Sequence, residues 1–434
     1  MLDLSPLRSG AFRHLALGYW VNEFGNWIGE IALTVLVYDR TGSPLGTAAL
    51  FLALRFGPAV FAPLLTARIE TFTPRAVLAT TYALEAGLFA GLAVLTHHFS
   101  MSGVLALSML DGILAISAKA LTRSATAAGL REQRLLREGN GILNLGLMSS
   151  TACAPMIAGA LVAWKGPRSA LLIDAGTFLL TALIICTAVG LQVEHDAAAT
   201  FTGRLRKGAN TIRERVALRR LIGAVALGML LSAIPLPIEV VFAKHVLHAG
   251  DLGYGLMLGA WGAGMVLGAA AFTLLSSVRL TTIVGVGALV IAVGYGGLAA
   301  APSLVVACVA SAVGGTGNGA GWIAAVTAVQ ERIPLDAQTA VMTLLEGLNQ
   351  LMPAVGFIIG GILTAVASPR LAYAAAAVGV ILVLLAASVR PIDRVILRDW
   401  SSDGRDYDPK GREAVPQDPG SGSRTTPLPA VAAR

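Results

Sequence analysis

Long apolar runs separated by short polar connectors dominate the chain. Two clear examples are residues 76–96, which Glu85 alone interrupts, and residues 371–389, which contain no charged side chain. A run of about 18 or more apolar residues is long enough to cross the hydrocarbon core of a bilayer. Because the runs do not alternate strictly between apolar and polar positions, they predict membrane helices rather than the strands of a barrel.

The pattern predicts an all-α membrane protein with twelve transmembrane helices. We expect these helices near residues 14–37, 44–67, 76–97, 102–122, 140–164, 169–191, 220–243, 253–276, 281–300, 303–329, 340–366 and 371–390. An even number of spans places both termini on one side of the membrane. Arginine and lysine are concentrated in the connectors after the second, fourth and sixth spans, and basic connectors stay in the cytoplasm. The sequence therefore predicts a multi-pass protein of the cell inner membrane with cytoplasmic termini.

The connector after the sixth span divides the chain into two halves. It predicts an amino-terminal six-helix bundle at 1–191, a basic cytoplasmic linker at 192–219 and a carboxy-terminal six-helix bundle at 220–390. An internal repeat supports this division, since residues 159–168 (GALVAWKGPR) and 361–370 (GILTAVASPR) occupy equivalent span boundaries in the two halves. Repeated six-span halves occur in one major transporter architecture. Apolar residues are few from Ser401 to Arg434, and we expect the tail at 391–434 to be a disordered cytoplasmic segment.

Composition excludes several classes of function. Hydrophobic residues make up 55% of the 434 residues, charged residues only 13%, and the mean hydropathy is +0.73. The net charge of +7 does not indicate nucleic-acid binding, because the arginines lie in connectors without an interleaved aromatic platform. The three cysteines lie far apart within apolar runs, so we expect no metal site. No phosphate-binding loop of the ATPase type is present, and we expect no cofactor.

Five short motifs lie along the spans and connectors: FRHL at 12–15, FGNW at 24–27, APMIAG at 154–159, LIDA at 172–175 and QERIP at 330–334. Together they resemble the major facilitator superfamily, and the similarity covers about residues 12 to 390. Their order and spacing are most similar to the twelve-span drug-exporter branch that includes enterobactin-type siderophore exporters. The resemblance implies two pseudo-symmetric six-helix bundles, a monomer, and proton-coupled export (antiport) of a small organic solute. The gating loop between spans two and three contains Arg68, Glu70 and Arg75. The superfamily's loop usually reads Gly-x-x-x-Asp-Arg followed by basic residues, and here Glu70 replaces the Asp, so the gating role of this loop is in question.

Ionisable residues inside the spans are the strongest functional signal, because a charge in hydrocarbon is costly unless it faces a cavity or a partner. In the first span, Glu23, Asn26, Trp27 and Glu30 recur at spacings of three and four, which place them on one helix face. We expect this face to line a central cavity, with Glu30 and Glu23 as candidates for proton uptake and release. The alternative is that both carboxylates are structural partners of arginines.

Other polar side chains extend the set of candidates. Asp111 in the fourth span is the third proton-coupling candidate. Arg55 is expected to pair with a carboxylate of span one or four, because buried charges persist when paired. The remaining candidates for the cavity or the substrate site are Glu85, Glu239, Glu346 and Asn349. Pro235 and Pro237 should break the seventh span beside Glu239.

Small residues and prolines predict close packing between helices. Glycines at spacings of three and four let helix backbones approach each other in membranes. The candidates for this packing role are Pro155, Gly159, Gly317, Gly321 and Gly361. His245 and His248, followed by Asp251, could be drawn as a metal site, but a short solvated loop is the simpler interpretation.

Together these observations predict a secondary transporter of an amphipathic or cationic organic solute, such as a drug, siderophore or secondary metabolite. Two alternatives from other classes remain open at this point. One is a sensor or scaffold built on a transporter frame, and the other is a membrane-embedded enzyme that modifies lipids. The enzyme requires clustered aspartate, histidine or arginine at a membrane surface, whereas the six histidines are scattered and the connectors are too short to form a catalytic domain. We therefore expect no enzymatic activity.

Overall fold

The computed structural model describes residues 5–69, 72–131, 135–188, 190–191, 209–210, 212–213, 216–275, 277–331, 333 and 338–389. All regular structure within these ranges is helical. Most of the predicted linker (192–219), the whole predicted tail (391–434), Glu70 of the gating loop and the side chain of Glu346 lie outside the described residues.

Six helical spans come from the amino-terminal half in the described part of the chain. They are α1 (Gly10–Thr41), α2 (44–69), α3 (Pro74–Leu95), α4 (Met101–Arg131), α5 (136–165) and α6 (167–187). Gly166 separates α5 from α6 with a φ of 79°. This left-handed conformation is readily available only to glycine, so the chain turns there without strain.

The carboxy-terminal half has the same organisation within the described residues. Its spans are α7 (216–246), α8 (Gly250–Leu274), α9 (Leu280–Ala300), α10 (Leu304–Gln330), α11 (Gln338–Val366) and α12 (Pro369–Val389). Ten helical segments of the described chain are long and apolar enough to cross a membrane, and one of them, Glu138–Thr187, contains both α5 and α6. The remaining span is α1, whose 32 residues are long enough to cross despite its polar face. The predicted twelve-helix fold is therefore confirmed.

Two spans are irregular near the middle of the fold. In α2, Pro44–Phe51 and Gly57–Ile69 flank a π-helical turn at Leu52–Phe56. Such turns are rare and often mark functional positions in helices. In α7, regular helix ends at Ala233 and a 3₁₀ turn follows at Leu236–Ile238, which confirms the break predicted from the two prolines.

Glycines of α10 bring it against α8 and α9, as the sequence predicted. A methyl group on Gly315 would collide with the carbonyl of Trp261 in α8, and one on Gly317 would collide with the carbonyl of Gly287 in α9. Gly321 also faces Gly287, but a methyl group there would make only ordinary contact at 3.6 Å. The dense α8–α10–α9 packing depends on these small residues because backbone atoms occupy the space of a side chain.

The two halves meet through pseudo-symmetric contacts. In α5, Gly159 and the carbonyl of Pro155 lie against Gly255 of α8. In α11, Gly361, which corresponds to Gly159 in the internal repeat, lies against Ala48 of α2. The repeat therefore places a small residue at an equivalent inter-half contact on each side of the molecule.

Candidate transport cavity

A polar compartment lies against the amino-terminal half. Its volume is about 310 Å³, and its wall includes Glu23, Asn26, Trp27 and Glu30 of α1, as the helical spacing predicted. Other polar groups in the wall come from α2, α4 and α11; they are Arg55, Asp111, Lys119 and Gln350. The first-span residues and Asp111 are thus brought together, although their part in proton transfer stays a prediction.

Two ion pairs cross between helices in this compartment. The Arg55 Nη2 atom donates to Glu30 Oε2 at 2.8 Å, which confirms the expectation that Arg55 pairs with a carboxylate of span one or four. The Lys119 Nζ atom donates to Glu23 Oε1 at 3.1 Å and lies 6.0 Å from the ring centre of Tyr19. These pairs neutralise both first-span carboxylates, a condition under which charged groups persist in apolar surroundings.

Glycines hold the charged helices in place. Gly25 and Gly29 of α1 lie directly against Asp174 of α6, where a side chain larger than hydrogen would collide with the carboxylate. Gly112 of α4 lies against the carbonyl of Leu54 in the π-helical turn of α2. The close approach of α4 brings Asp111 and Lys119 into the same compartment as Arg55.

Three carboxyl groups form a buried cluster beside the compartment: Glu85 of α3, Asp111 of α4 and Asp174 of α6. They lie within electrostatic reach of one another. Asp174 accepts a hydrogen bond from the Thr177 hydroxyl at 2.9 Å. Both oxygens of Glu85 and one oxygen each of Asp111 and Asp174 are buried without a hydrogen-bond partner in the described chain. No ion pair to any of the three is recorded among the described residues.

The placement of Glu85 corrects one expectation. The sequence made Glu85 a candidate for the cavity wall, but its side chain is fully buried and is not among the residues that line the polar compartment. The same face of α3 contributes Tyr82 and Phe89 to that wall. Glu85 therefore lies behind the wall, in the carboxyl cluster. Asp174 entered the sequence analysis only through the LIDA motif, because a single acid in a span does not reveal which helices surround it.

An apolar compartment of about 550 Å³ lies against the carboxy-terminal half. It is lined mainly by α7, α9, α10 and α11, and its polar groups include Asn318 and the predicted cavity residue Asn349. Arg55 and Gln350 line both compartments. The two compartments therefore adjoin at these side chains, and we refer to them together as the cavity.

Glu239 lies at the break in α7, near the interface of the halves. One of its oxygens is buried without a hydrogen-bond partner in the described chain, and the group is within electrostatic reach of Glu30. Three buried tyrosines, which the sequence analysis missed, surround this region: Tyr254, Tyr295 and Tyr373. The Tyr295 hydroxyl donates to the Ser232 carbonyl at 3.0 Å.

One end of the cavity is closed by contacts between the halves. Lys244 of α7 forms ion pairs with Asp39 of α1 and, at 2.8 Å, with Asp251 of α8. Beside them the Tyr38 and His245 rings meet edge to face, with 5.5 Å between centroids. No group of residues suited to a metal ion occurs in the described part of the chain. Asp251 thus shares the cation Lys244 with Asp39 of the other half, a role that the sequence could not show because Asp39 is distant along the chain.

The gating loop lies at the opposite end, between α2 and α3. Arg68 is in the last turn of α2, and Arg75 is exposed in the first turn of α3. The gating role of this loop stays a prediction.

Comparisons with known proteins agree with this architecture. A family model described as "transmembrane secretion effector", within the major facilitator superfamily, matches residues 2–342. No curated protein sequence matches the chain.

Solved transporter structures share the fold at low sequence identity. The nucleoside transporter NupG is 13% identical, with a TM-score of 0.68 over 89% of this chain and 99% of NupG. A bacterial homolog of the human lysosomal transporter Spinster, in an inward-facing and occupied conformation, is 14% identical, with a TM-score of 0.70 over 91% of this chain and 98% of its own. A bacterial homologue of the iron transporter ferroportin, in an inward-facing state, is 15% identical, with a TM-score of 0.67 over 86% and 97% of the two chains. The family match over most of the chain, with the twelve-helix fold around a central cavity, shows that this protein belongs to the transmembrane secretion effector family of major facilitator transporters.

Proposed function

We propose that this transporter exports an amphipathic organic solute, such as a drug, siderophore or secondary metabolite, by alternating access, while protons move inward. One observation carries the proposal: a charged compartment on one side and an apolar compartment on the other share Arg55 and Gln350 in their walls. Such a cavity suits a solute with a polar head and an apolar body. The outward direction is supported by the resemblance to drug exporters and by the family's description as secretion effectors.

We place the protein in the cell inner membrane as a monomer with both termini in the cytoplasm. The basic connectors support this orientation. The end closed by Lys244 then faces away from the cytoplasm, so the cavity is accessible from the inside. A carrier of this kind moves its solute chemically unchanged and needs no cofactor. The two six-helix bundles, with boundaries at 1–191 and 220–390, act as the bodies that rock against each other.

Asp111 is the proton-coupling residue that the geometry supports best. Glu23 and Glu30 are each paired with a cation, Lys119 and Arg55 respectively. Asp111 lines the cavity but is buried beside Glu85 and Asp174, and no cation pairs with it in the described chain. A buried carboxylate without a cation is costly in a membrane protein. We therefore propose that Asp111 takes up the transported proton and that its two carboxyl neighbours share the site.

Two measurements test this function. Metabolites released by cells with and without the protein identify a solute whose export depends on it, and equal release from both cell lines rules out export. The purified protein in proteoliposomes should then move that solute faster when a pH gradient is imposed. Asp111→Asn should abolish this stimulation while solute exchange at equal pH continues. Glu331→Gln, which alters an exposed acid at the end of α10, is the control. Persistent stimulation in Asp111→Asn excludes the proton role of Asp111.

A further inference from the structure

The charges that face the cavity are mainly positive. The side chains of Arg55 and Lys119 are each 41% exposed, whereas their partners Glu30 and Glu23 are only 23% and 9% exposed. Asp111, the unpaired acid of the wall, is buried. In each pair the cation therefore lies nearer the open space, and the carboxylate lies behind it.

Both cations have hydrogen-bond donors to spare. A guanidinium has five N–H donors and an ammonium has three. In the described chain Arg55 makes one recorded hydrogen bond, to Glu30, and its Nε atom is buried without a partner. Lys119 likewise makes one recorded hydrogen bond, to Glu23. The Arg55 side chain is 41% exposed and lines the compartment, so its remaining Nη donors are suited to the oxygens of a carboxylate, sulfonate or phosphate.

The position of Arg55 defines how a solute would lie. Arg55 sits in the π-helical turn of α2 and lines both compartments, so a head group bound there has the apolar compartment directly beside it. That compartment offers large apolar side chains from several helices; among them are Met229, Met265, Trp322, Phe357 and Val380. The volumes of 310 and 550 Å³ fall in the range of pockets for small organic ligands.

We propose that the cavity binds amphipathic anions, with the acidic head group held by Arg55 and Lys119 and the hydrocarbon or aromatic body in the apolar compartment. The inference rests on the proposed transport function and narrows its solute class. A cationic head group at the same place would lie against two exposed cations. The carboxylates near it are either buried or already paired, so they would offer it little attraction. The membrane potential, negative inside, also favours the outward movement of an anion.

Three probes with one aromatic body and different heads test the proposal. They are pyrenebutyrate, its uncharged primary amide and pyrenebutyl-trimethylammonium. Binding to the purified protein in nanodiscs is followed by energy transfer from tryptophan to pyrene, since Trp27 and Trp322 line the cavity. The wild-type protein should bind the carboxylate most tightly. Arg55→Gln and Lys119→Gln should each weaken carboxylate binding about tenfold or more, the size expected for a hydrogen bond to a charged group. Binding of the amide should change little.

Variants that preserve charge balance guard against misfolding. Removing one cation leaves a carboxylate unpaired, so the double variants Arg55→Gln/Glu30→Gln and Lys119→Gln/Glu23→Gln remove each pair together. They should lose the preference for the carboxylate and still bind the amide. Lys165→Gln removes a cation in the α5–α6 loop, outside the lining of either compartment, and should bind all three probes like the wild type.

Each outcome has a definite meaning. The proposal is overturned if the wild type shows no preference for the carboxylate, or if the pair variants weaken amide and carboxylate binding equally. Transport of the probes in proteoliposomes is measured separately. Preferential binding of the carboxylate without transport of any probe leaves the head-group inference intact and counts against the transport function. Transport of all three probes at equal rates and affinities supports the transport function and overturns the head-group inference.

Discussion

Replacement of Lys244 by glutamine should open the closed end of the cavity. Lys244 of α7 is the shared cation of two ion pairs, one to Asp39 in the other half and one to Asp251 in its own half. Without the ammonium group the two carboxylates lose their common partner and repel each other across the interface. Glutamine is one atom shorter than lysine but keeps a hydrogen-bond donor, so packing at this end should be largely preserved.

The size of the effect follows from the exposure of the three side chains. Asp39 is 44% exposed, so its pair with Lys244 is screened by solvent and contributes less than about 1 kcal/mol. Lys244 and Asp251 are only about one-fifth exposed, and their contact of 2.8 Å should contribute somewhat more. The Asp251 pair lies within one half, so it contributes mainly by orienting Lys244. A total of about 1–2 kcal/mol would shift the equilibrium between closed and open ends by roughly 5- to 30-fold.

Distances between spin labels measure this equilibrium. In a variant whose three cysteines are replaced by alanine, labels at Thr41 and Val305 report the separation of the halves at the closed end, since Thr41 ends α1 and Val305 lies in the first turn of α10. Pulsed electron resonance on the wild type should give mainly the short distance. Lys244→Gln should add a second population at a longer distance.

Matched variants make the test specific. Lys165→Gln removes another lysine at the same end of the molecule and should leave the distances unchanged. The charge swap Asp39→Lys/Lys244→Asp rebuilds the cross-half pair and should recover part of the closed population. The ion-pair argument is wrong if Lys244→Gln and Lys165→Gln give the same distance distribution as the wild type.

Two further predictions concern stability. Gly315→Ala should lower the thermal unfolding temperature, because the added methyl group would collide with the Trp261 carbonyl at a cost of about 1–3 kcal/mol. Gly321→Ala, on the same helix, should be tolerated. Equal unfolding temperatures for the two variants would contradict the packing argument. Tyr295→Phe should destabilise the protein by about 1 kcal/mol in chemical unfolding, because the buried hydroxyl donates to the Ser232 carbonyl, and an unchanged unfolding midpoint would show that this bond contributes nothing.

The fold was largely accessible from sequence because each membrane span has its own local signal. Runs of about 20 apolar residues predict the helices one by one, and the prolines at 235 and 237 predict the break in α7. The helical spacing of Glu23, Asn26 and Glu30 also predicts which face of α1 meets the cavity. These inferences need only neighbours along one helix, which the chain itself supplies.

The partners of the charged groups were less accessible, because they depend on how separate helices pack. The pairing of Lys119 with Glu23 joins α4 to α1, and the burial of Glu85 depends on α4 and α6. Lys244 pairs with Asp39, which lies 205 positions earlier in the chain, and with Asp251, which lies seven positions later, across a loop. Periodicity along one helix says nothing about such pairs, so the sequence analysis named Glu23, Glu85 and Asp251 but missed their partners, the carboxyl cluster and the closed end.

The cavity and the closed end are connected through two helices. Helix α1 contains both Glu30, at the cavity, and Asp39, at the closed end, about 14 Å apart along the helix axis. Helix α7 contains Glu239, near Glu30, and Lys244, at the closed end. At the break in α7, the Pro237 carbonyl accepts a buried hydrogen bond of 2.7 Å from the Thr47 hydroxyl of α2. A change in the position of Arg55 or Glu30 therefore acts on helices that also hold the end shut. Because regular helices transmit displacement along their length, occupation of the cavity can alter the closed end through rigid movement of α1 and α2 against α7, without a separate relay of side chains.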